Sequence, residues 1–225
     1  MTPGVVHRRR PDEGISLAEL MVTIMLIAIV MTIATGAFAS MARVTANAQS
    51  IDLDVRNASN AMNEVSRVLR AATRNPVRET ALAAPAVIEA RADTVSVYAY
   101  VNLENADARP IMVTFAVTDT NDFVESTYDG VQDERGYWDF TGPARTRTLA
   151  ENVQRTPEQP TFRYLDLAQR TLELETDGAL SERNRRQVTA VELQITVDGV
   201  DGANNRVGIT LQSTAHLSNV HNARS

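Results

Sequence analysis

A long, nearly uncharged segment near the N-terminus constrains this chain more than any other feature of its sequence. Within residues 15–42 the only charged residue is Glu19, and residues 20–42 carry no charge. A helix needs about 20 predominantly apolar residues to cross the hydrocarbon core of a bilayer. The segment therefore predicts a transmembrane helix over residues 15–42.

The residues in front of this segment form a specific pattern. Three arginines at positions 8–10 precede Gly14 and Ile15, and Glu19 falls in the first helical turn. This pattern resembles the class III signal of type IV prepilins and pseudopilins. The resemblance implies that residues 1–14 are a leader, which a prepilin peptidase removes by cutting between Gly14 and Ile15. It also implies N-methylation of Ile15, which replaces the usual Phe of the family, and a role for Glu19 in subunit assembly.

The energetics of insertion are compatible with that role for Glu19. An acidic residue costs about 2.5 to 3.5 kcal/mol at mid-bilayer and less near the helix ends, whereas the apolar residues of this segment together favour insertion by about 3 to 7 kcal/mol. Ile15 and Glu19 are four residues apart and share a helix face. Glu19 can therefore pair with a free amine created by cleavage, which the resemblance assigns to a neighbouring subunit. The alternative is an interfacial carboxylate that reaches the lipid headgroups.

Composition and charge exclude several classes of function. The chain of 225 residues has no cysteine and a net charge of −6, and its 22 basic residues are all arginine. Disulfides and cysteine metal sites are excluded, and a net-acidic chain is a poor binder of nucleic acid. The three histidines, His7, His216 and His221, form no metal-ligand pattern, and no phosphate loop or catalytic motif is present. We expect neither a cofactor nor an enzymatic activity.

A second apolar pattern continues the predicted helix through residues 43–75. Apolar residues recur there at alternating spacings of four and three, which predicts an amphipathic helix that ends before Pro76. This stripe consists of Val44, Ala48, Ile51, Val55, Ala58, Met62, Val65, Leu69 and Ala72. Its register matches that of the apolar segment, so residues 15–75 are predicted to form one rod, in which Gly36 is the weak point.

The remainder of the chain, residues 76–225, predicts a β-rich domain. Residues 76–93 suggest a linker or irregular layer, and the alternation in 94–101 and 111–118 predicts a hairpin. Short strands are predicted at 137–140 and 145–149, and two further hairpins from the pairs 161–167 with 171–176 and 188–197 with 206–215. The fold class is therefore α+β, with a long helix packed on an antiparallel sheet in the manner of a pilin.

Two weaker features lie within this predicted domain. Residues 119–136 read as an acidic loop in which Asp119, Asp122, Glu125, Asp129 and Asp133 could bind Ca²⁺, although their spacing is not that of an EF-hand and we favour a solvated loop. The segment at 149–153 (LAENV), followed by 162–166 (FRYLD), resembles W-type minor pilins and J-type pseudopilins of type II secretion. That resemblance implies a minor or priming subunit.

Taken together, these patterns predict a structural subunit of a type IV pilus or secretion-like filament. Its partners would be other pilin-like subunits, a prepilin peptidase and the cytoplasmic membrane. The basic leader predicts an N-inside orientation, which places the β-rich domain outside the cytoplasm.

Two alternatives stay open. Ala37 and Ala39 fit an ordinary signal-peptidase site, which would release a secreted binding domain beginning at Ser40. The chain could also be a single-pass anchored sensor or enzyme-associated domain that never polymerises. Exposed aromatic patches would favour either alternative over the filament subunit.

Overall fold

The computed structural model describes residues 16–75, 83–100, 109–155, 158–200 and 206–221. The chain divides into two units, Met1–Asn47 and Ala48–Ser225. The first contains the beginning of helix α1, and the second contains the remainder of that helix together with the β-strands. This arrangement is the predicted α+β class.

Helix α1 is continuous over Leu17–Arg70. It contains no proline, and its single glycine, Gly36, does not interrupt it. The helix ends five residues before the predicted end at Asn75, because the strands take over the backbone hydrogen bonds there. Ala72 bridges Ala99, and the amide of Thr73 donates to the carbonyl of Tyr98 at 2.8 Å.

The larger sheet has five antiparallel strands in the order β1-β2-β3-β4-β7. The pairing of β2 with β3 confirms the predicted first hairpin, and β7 confirms the strand predicted at 145–149. The bounds are Val87–Ala90 for β1, Thr94–Ala99 for β2, Ile111–Val117 for β3, Phe123–Asp129 for β4 and Arg145–Ala150 for β7.

Two of these strands correct the sequence prediction. β1 lies where an irregular layer was expected, and β4 lies inside the predicted acidic loop. Phe123 and Glu125 of β4 are both buried, while Val124 and Ser126 lie on the other face and are less buried. The acidic residues that flank β4 concealed this alternation, since a loop and a strand edge have similar compositions.

The smaller sheet has three strands in the order β10-β9-β8. β9 (Ala190–Val200) and β10 (Arg206–His216) pair over their full length and confirm the predicted third hairpin. β8 (Phe162–Leu165) pairs with β9, so the predicted hairpin of 161–167 with 171–176 is wrong. After β8 the Asp166 carboxylate accepts the amides of Ala168 and Arg170, both at 2.9 Å, which turns the chain so that only Thr171 bridges back to Leu165.

The remaining elements are short. β5 (Val131–Gln132) and β6 (Trp138–Asp139) form a two-stranded ladder, which places a strand within the predicted segment 137–140. Helices α2 (Glu182–Arg185) and α3 (Ser218–His221) are single turns.

The second unit has one hydrophobic core, shared by α1 and both sheets. Its α1 members include much of the predicted stripe, namely Ala58, Met62, Val65, Leu69 and the following Ala72. The sheets contribute the aromatic residues Phe115, Phe123, Phe162 and Tyr164, each with at most 1% of its surface exposed. The amphipathic pattern therefore predicted correctly which helix face the strands cover, although the earlier stripe residues Val44 and Ala48 are exposed.

Candidate functional site

The first described residue, Ser16, precedes the start of α1. Its carbonyl accepts the amide of Leu20 at 3.0 Å, which is the i to i−4 bond that opens an α-helix. Gly14 and Ile15, the predicted cleavage and methylation residues, lie outside the described residues. The predicted cleavage point is the peptide bond between Gly14 and Ile15, so it also lies outside the described residues.

Glu19 lies in the first turn of α1, and its residue surface is exposed. The unpaired amides of a helix N-terminus carry a partial positive charge, which favours an acidic side chain at this position. The backbone carbonyl of Glu19 accepts a hydrogen bond from the hydroxyl of Thr23 at 2.7 Å. The structure thus places the one charge of the apolar segment at the helix start, one turn after Ile15 in the sequence.

The apolar side chains that follow Glu19 are exposed on all sides of α1. Met21 is 65% exposed, Ile33 68% and Phe38 74%, whereas such residues are normally buried in a soluble protein. Among the described residues, α1 alone contains a window apolar enough to cross a membrane, with a mean hydropathy of 2.4 over 18 residues and no burial within the protein. A signal sequence has the same length and composition.

Two hydroxyl side chains of this segment, those of Thr23 and Thr32, are hydrogen-bonded within the helix itself. Thr23 and Thr32 donate their hydroxyls to backbone carbonyls four residues earlier, at 2.7 and 2.8 Å. This back-bonding removes the need for water as a partner. The threonines can therefore lie in an apolar environment without an unsatisfied donor.

The acidic segment 119–136 differs from the loop that the calcium hypothesis assumed. Asp119 and Asp122 lie at the turn before β4, and Asp129 ends that strand, while Glu125 is buried within it. Because the strand spreads these carboxylates along its length, they do not converge. In the described part of the chain, no three acidic or histidine side chains are grouped to hold a metal ion.

Glu125 instead belongs to a cluster of ion pairs that joins α1 to β4 and β7. Arg147 of β7 donates to the Glu125 carboxylate at 2.6 and 3.0 Å and to Glu64 of α1 at 2.7 Å. Arg67 donates to Glu64 at 2.6 and 2.9 Å. The hydrogen bonds from Arg67 and, to a smaller extent, the neighbouring Arg147 lower the pKa of Glu64. We call Glu64, Arg67, Glu125 and Arg147 the ion-pair cluster.

Sequence reasoning missed the ion-pair cluster, because its members are 83 residues apart at the widest. The sequence does contain one indication of the cluster, because Glu125 occupies a position of β4 whose side chain points inward. That indication can be used only once β4 has been identified as a strand.

The segment at 149–153 has a structural role in the domain. Asn152 has a left-handed backbone with φ of 55°, a region in which asparagine is tolerated better than most residues. The turn brings Val153 to Val197 of β9, and the amide of Val153 donates to the carbonyl of Asn121 at 2.8 Å. The motif therefore connects the end of β7 to the smaller sheet.

Tyr164 of the FRYLD segment also connects the two sheets. It is 1% exposed, and its hydroxyl lies 2.8 Å from the carbonyl of Arg91 and 2.9 Å from that of Thr94. Burial raises the pKa of the Tyr164 phenol well above its usual range, so the group remains a proton donor.

Of the histidines, His216 ends β10 with an exposed residue surface, and His7 lies outside the described residues. His221 ends α3.

Comparison with known protein families gives a match at the N-terminus. The family model described as the prokaryotic N-terminal methylation motif matches residues 9–35. The match covers Gly14, Ile15, Glu19 and the greater part of the predicted transmembrane segment. No curated protein and no solved structure matches the chain. The N-terminal segment thus carries the class III signal of type IV prepilins and pseudopilins, which is a substrate signal for prepilin peptidase, and the exposed apolar helix is consistent with membrane anchoring.

Proposed function

We propose that the protein is a structural subunit, a minor pilin or pseudopilin, of a type IV pilus or a type II secretion-like filament. The observation that carries the proposal is the joint presence of the methylation motif over residues 9–35 and an α1 whose apolar first half is exposed all round. The motif includes most of the apolar segment, and α1 continues from that segment into residues that form part of the core of the second unit. This continuity supports a helix that is retained and used.

The proposed sequence of events starts at the leader. Prepilin peptidase removes residues 1–14, and methylation of the Ile15 amine follows. The apolar part of α1 then holds the subunit in the cytoplasmic membrane as a single pass, with its N-terminus inside because of the arginines at 8–10. The domain of residues 48–225 lies outside the cytoplasm, and the subunit acts without enzymatic activity or a cofactor.

Assembly would replace lipid contacts of α1 with contacts to other subunits. Exposed side chains of α1 pack against those of like helices, and Glu19 accepts a neighbour's N-terminal amine. Removing an unpaired carboxylate from the bilayer edge into an ion pair offsets part of its desolvation cost. The charge therefore favours the assembled state and sets the axial position of one helix against the next.

The continuity of α1 supports retention of the helix over removal after Ala39. The helix runs through Ala37 and Ala39 without a break and continues to Arg70, where its buried face forms part of the domain core. The resemblance of residues 149–153 and 162–166 to W-type minor pilins and J-type pseudopilins supports the part of this proposal that makes the protein a minor subunit.

The deciding experiment is mass spectrometry of the mature N-terminus of protein made in its native host. We expect a chain that begins at Ile15 with one extra methyl group on its amine. A chain that begins at Ser40 would show that the helix is a disposable signal and would overturn the proposal. An uncut chain that begins at Met1 would favour a plain membrane anchor.

Assembly is tested separately with Glu19→Ala and the matched variant Glu19→Asp. We expect the Ala variant to insert and to be cleaved normally, but to enter filaments at least about tenfold less. Removing one partner of a buried ion pair costs about 3 to 5 kcal/mol, and a tenfold change needs only about 1.4 kcal/mol. The Asp variant keeps the charge and should recover part of the incorporation. Normal incorporation of the Ala variant, quantified in sheared filament fractions, would refute the role of Glu19.

A further inference from the structure

The larger sheet has one face toward the core and one face turned away from it. Buried apolar residues such as Val97, Val113 and Phe115 occupy alternate positions of β2 and β3 and face the core. Because successive side chains of a strand point to opposite faces, the positions between them lie on the other side of the sheet. Most residues at those positions are partly exposed. We call this side of β2, β3, β4 and β7 the outward face.

A row of hydroxyl side chains crosses the outward face. The strand register aligns four hydroxyl residues on neighbouring strands, namely Ser96, Thr114, Ser126 and Thr146. The hydroxyl oxygens of Ser96 and Thr114 lie 2.8 Å apart. Those of Ser126 and Thr146 are also 2.8 Å apart. A hydroxyl has one proton and two lone pairs, so each pair keeps the capacity to donate and to accept further hydrogen bonds.

A second row, parallel to the first, contains aromatic side chains. Tyr98 of β2 and Tyr128 of β4 flank Met112 of β3, and both tyrosines are partly exposed. Since neighbouring strands are about 4.8 Å apart, the two tyrosines are about 10 Å apart. The aromatic row lies two residues along the strands from the hydroxyl row, a distance of about 7 Å.

The residues that follow β4 enlarge this aromatic surface. A Cβ atom at Gly130 would lie 3.2 Å from ring atoms of both Trp138 and Phe140, so the glycine lets both rings lie close to the backbone. The ring centroid of Phe140 is 4.9 Å from that of Tyr98. Trp138 and Phe140 are partly exposed. We call Tyr98, Tyr128, Trp138 and Phe140 the aromatic patch.

The aromatic patch is not part of the hydrophobic core. The buried aromatic residues of the second unit face the core from other positions, and none of the four patch residues belongs to it. A third row of the outward face, from Thr94 to Thr148, contains only threonine, alanine and valine. The outward face therefore combines aromatic rings and hydroxyls, and its three rows contain no charged residue.

We propose that the outward face binds a neutral, β-1,4-linked polysaccharide chain. Each pyranose ring of such a chain presents C–H groups on its two faces and hydroxyls around its edge. The C–H faces match the aromatic patch, and the hydroxyls at the ring edge match the hydroxyl row beside it. The chain is extended and flat, and its repeat of two sugars is close in length to the separation of Tyr98 and Tyr128. The chain would therefore lie across the strands.

Other kinds of occupant fit the outward face less well. A peptide strand binds a sheet through free backbone groups, but β3 and β4 are paired with strands on both sides. A purely apolar partner or a lipid surface would bury the hydroxyl row without giving it hydrogen-bond partners. A polyanion requires cations, and the three rows provide none. A ligand that carries both C–H faces and hydroxyls matches both rows.

This inference does not depend on the proposed function. The outward face belongs to the second unit, which each interpretation of the N-terminus retains. Exposed aromatic residues were expected to favour a binding domain over a filament subunit, but a filament subunit can also carry a binding face. The mature N-terminus remains the test between those alternatives, and its outcome does not alter the test that follows.

Binding is tested with cellohexaose on the full-length protein, in a zwitterionic detergent whose headgroup contains no sugar. Trp138 is the only tryptophan and belongs to the aromatic patch, so its fluorescence reports on the site itself. We expect a saturable change with a Kd in the millimolar range or lower, and calorimetry should give the same Kd. The matched ligand is a hexamer of β-1,4-linked mannuronate, which carries a carboxylate on every sugar. It should bind at least about tenfold more weakly, because the outward face offers its carboxylates no cation.

Two pairs of variants locate the site. Tyr128→Ala removes a ring and should raise the Kd for cellohexaose about tenfold, whereas Tyr128→Phe keeps the ring and should change it by less than about threefold. Thr146→Arg places a bulky charge on the hydroxyl row and should also weaken binding about tenfold. Thr210→Arg is its control, because Thr210 is an exposed threonine of β10 in the smaller sheet. It should leave the Kd unchanged.

The absence of both a fluorescence change and a calorimetric signal with cellohexaose would overturn the proposal. Equal affinity for the mannuronate hexamer would also overturn it, as would a Kd that both Tyr128→Ala and Thr146→Arg leave unchanged. A dimer in detergent that Tyr128→Ala dissociates, in a protein that does not bind cellohexaose, would assign the outward face to a second copy of the chain instead.

Discussion

At the scale of single residues, the Tyr164 hydroxyl fixes the turn between β1 and β2. It is buried, and it lies within hydrogen-bonding distance of the carbonyls of both Arg91 and Thr94, which flank that turn. A phenol has one proton to donate, so the two carbonyls share it. The side chain thereby ties a strand of the smaller sheet to a turn of the larger one.

Tyr164→Phe should lower the free energy of unfolding by about 1 to 2 kcal/mol, since a buried carbonyl loses its donor. Trp138 is the only tryptophan and lies in β6, so its fluorescence can follow denaturant unfolding of the second unit in full-length protein. Tyr100→Phe is the control, because Tyr100 is 43% exposed and should change the stability by less than about 0.5 kcal/mol. Equal effects of both substitutions would contradict the assigned role of the Tyr164 hydroxyl.

Individual residues differ in how far the sequence could reveal their roles. Glu19 was identifiable because an isolated charge in an apolar segment is conspicuous, and the family model covers that segment. The calcium hypothesis makes Glu125 a metal ligand, whereas in the structure it is the buried partner of Arg147. Its role depends on a contact across 22 residues, which local composition does not encode.

At the scale of elements, the ion-pair cluster holds α1 against β4 and β7 within the second unit. The Glu125 side chain is 7% exposed and that of Glu64 19%, and Arg147 donates to both. Burial of a carboxylate is costly unless a cation compensates it. The contact of the helix with the sheet is therefore polar at this point and hydrophobic elsewhere.

Arg147→Met should lower the free energy of unfolding by about 2 kcal/mol, because it leaves Glu125 buried without its cation. Arg145→Met is the matched control on the same strand. Arg145 and its partner Asp129 are 72% and 64% exposed, and an exposed pair contributes less than about 1 kcal/mol. Denaturant unfolding followed by Trp138 fluorescence measures both effects.

Combining Arg147→Met with Glu125→Gln should recover part of the loss, since the second change removes the uncompensated charge. A double variant whose loss equals the sum of the two single losses would show that the two residues do not interact.

The strands that the sequence predicted differ from those it missed in how clearly apolar and polar residues alternate along them. The hairpins of β2 with β3 and β9 with β10 were predicted because apolar and polar residues alternate in both strands of each pair. β1 and β4 were missed, since β1 is only four residues long and acidic residues flank β4. The predicted pairing of residues 161–167 with 171–176 was wrong because β8 pairs with β9, which lies further along the chain. In that pairing Tyr164 is opposite Val191, 27 residues later.

At the scale of the whole molecule, one helix serves two different environments. The first unit contains apolar α1 residues that are exposed in the described part of the chain, and the second contains α1 residues that complete a hydrophobic core. The amphipathic pattern predicted the second property and the charge-free segment the first. The described structure therefore assigns folding stability to residues 48–225 and leaves the exposed residues of 16–47 for an environment outside the chain.

The stability of the second unit should depend on pH through Glu64. Hydrogen bonds from Arg67 lower the pKa of this carboxyl from its ordinary 4.5 in the folded state, and Arg147 adds to the effect against the opposing desolvation. A lowered folded-state pKa stabilises the protein at pH values above 4.5, and the contribution is lost as the pH falls through the folded-state pKa. The neighbouring Glu125 does not change this sign, since Arg147 lies between the two carboxylates and donates to both.

Glu64→Gln should therefore destabilise the protein by about 1 kcal/mol at neutral pH, and the difference from wild type should shrink below pH 4.5. Unfolding curves from pH 7 to 3, followed by Trp138 fluorescence in detergent, measure this convergence. Asp52→Asn is the control on the same helix, because Asp52 and Arg56 are 59% and 70% exposed and their pair contributes little at any pH. A Glu64→Gln difference that stays constant over this range would mean that the charge of Glu64 does not stabilise the contact between α1 and β7.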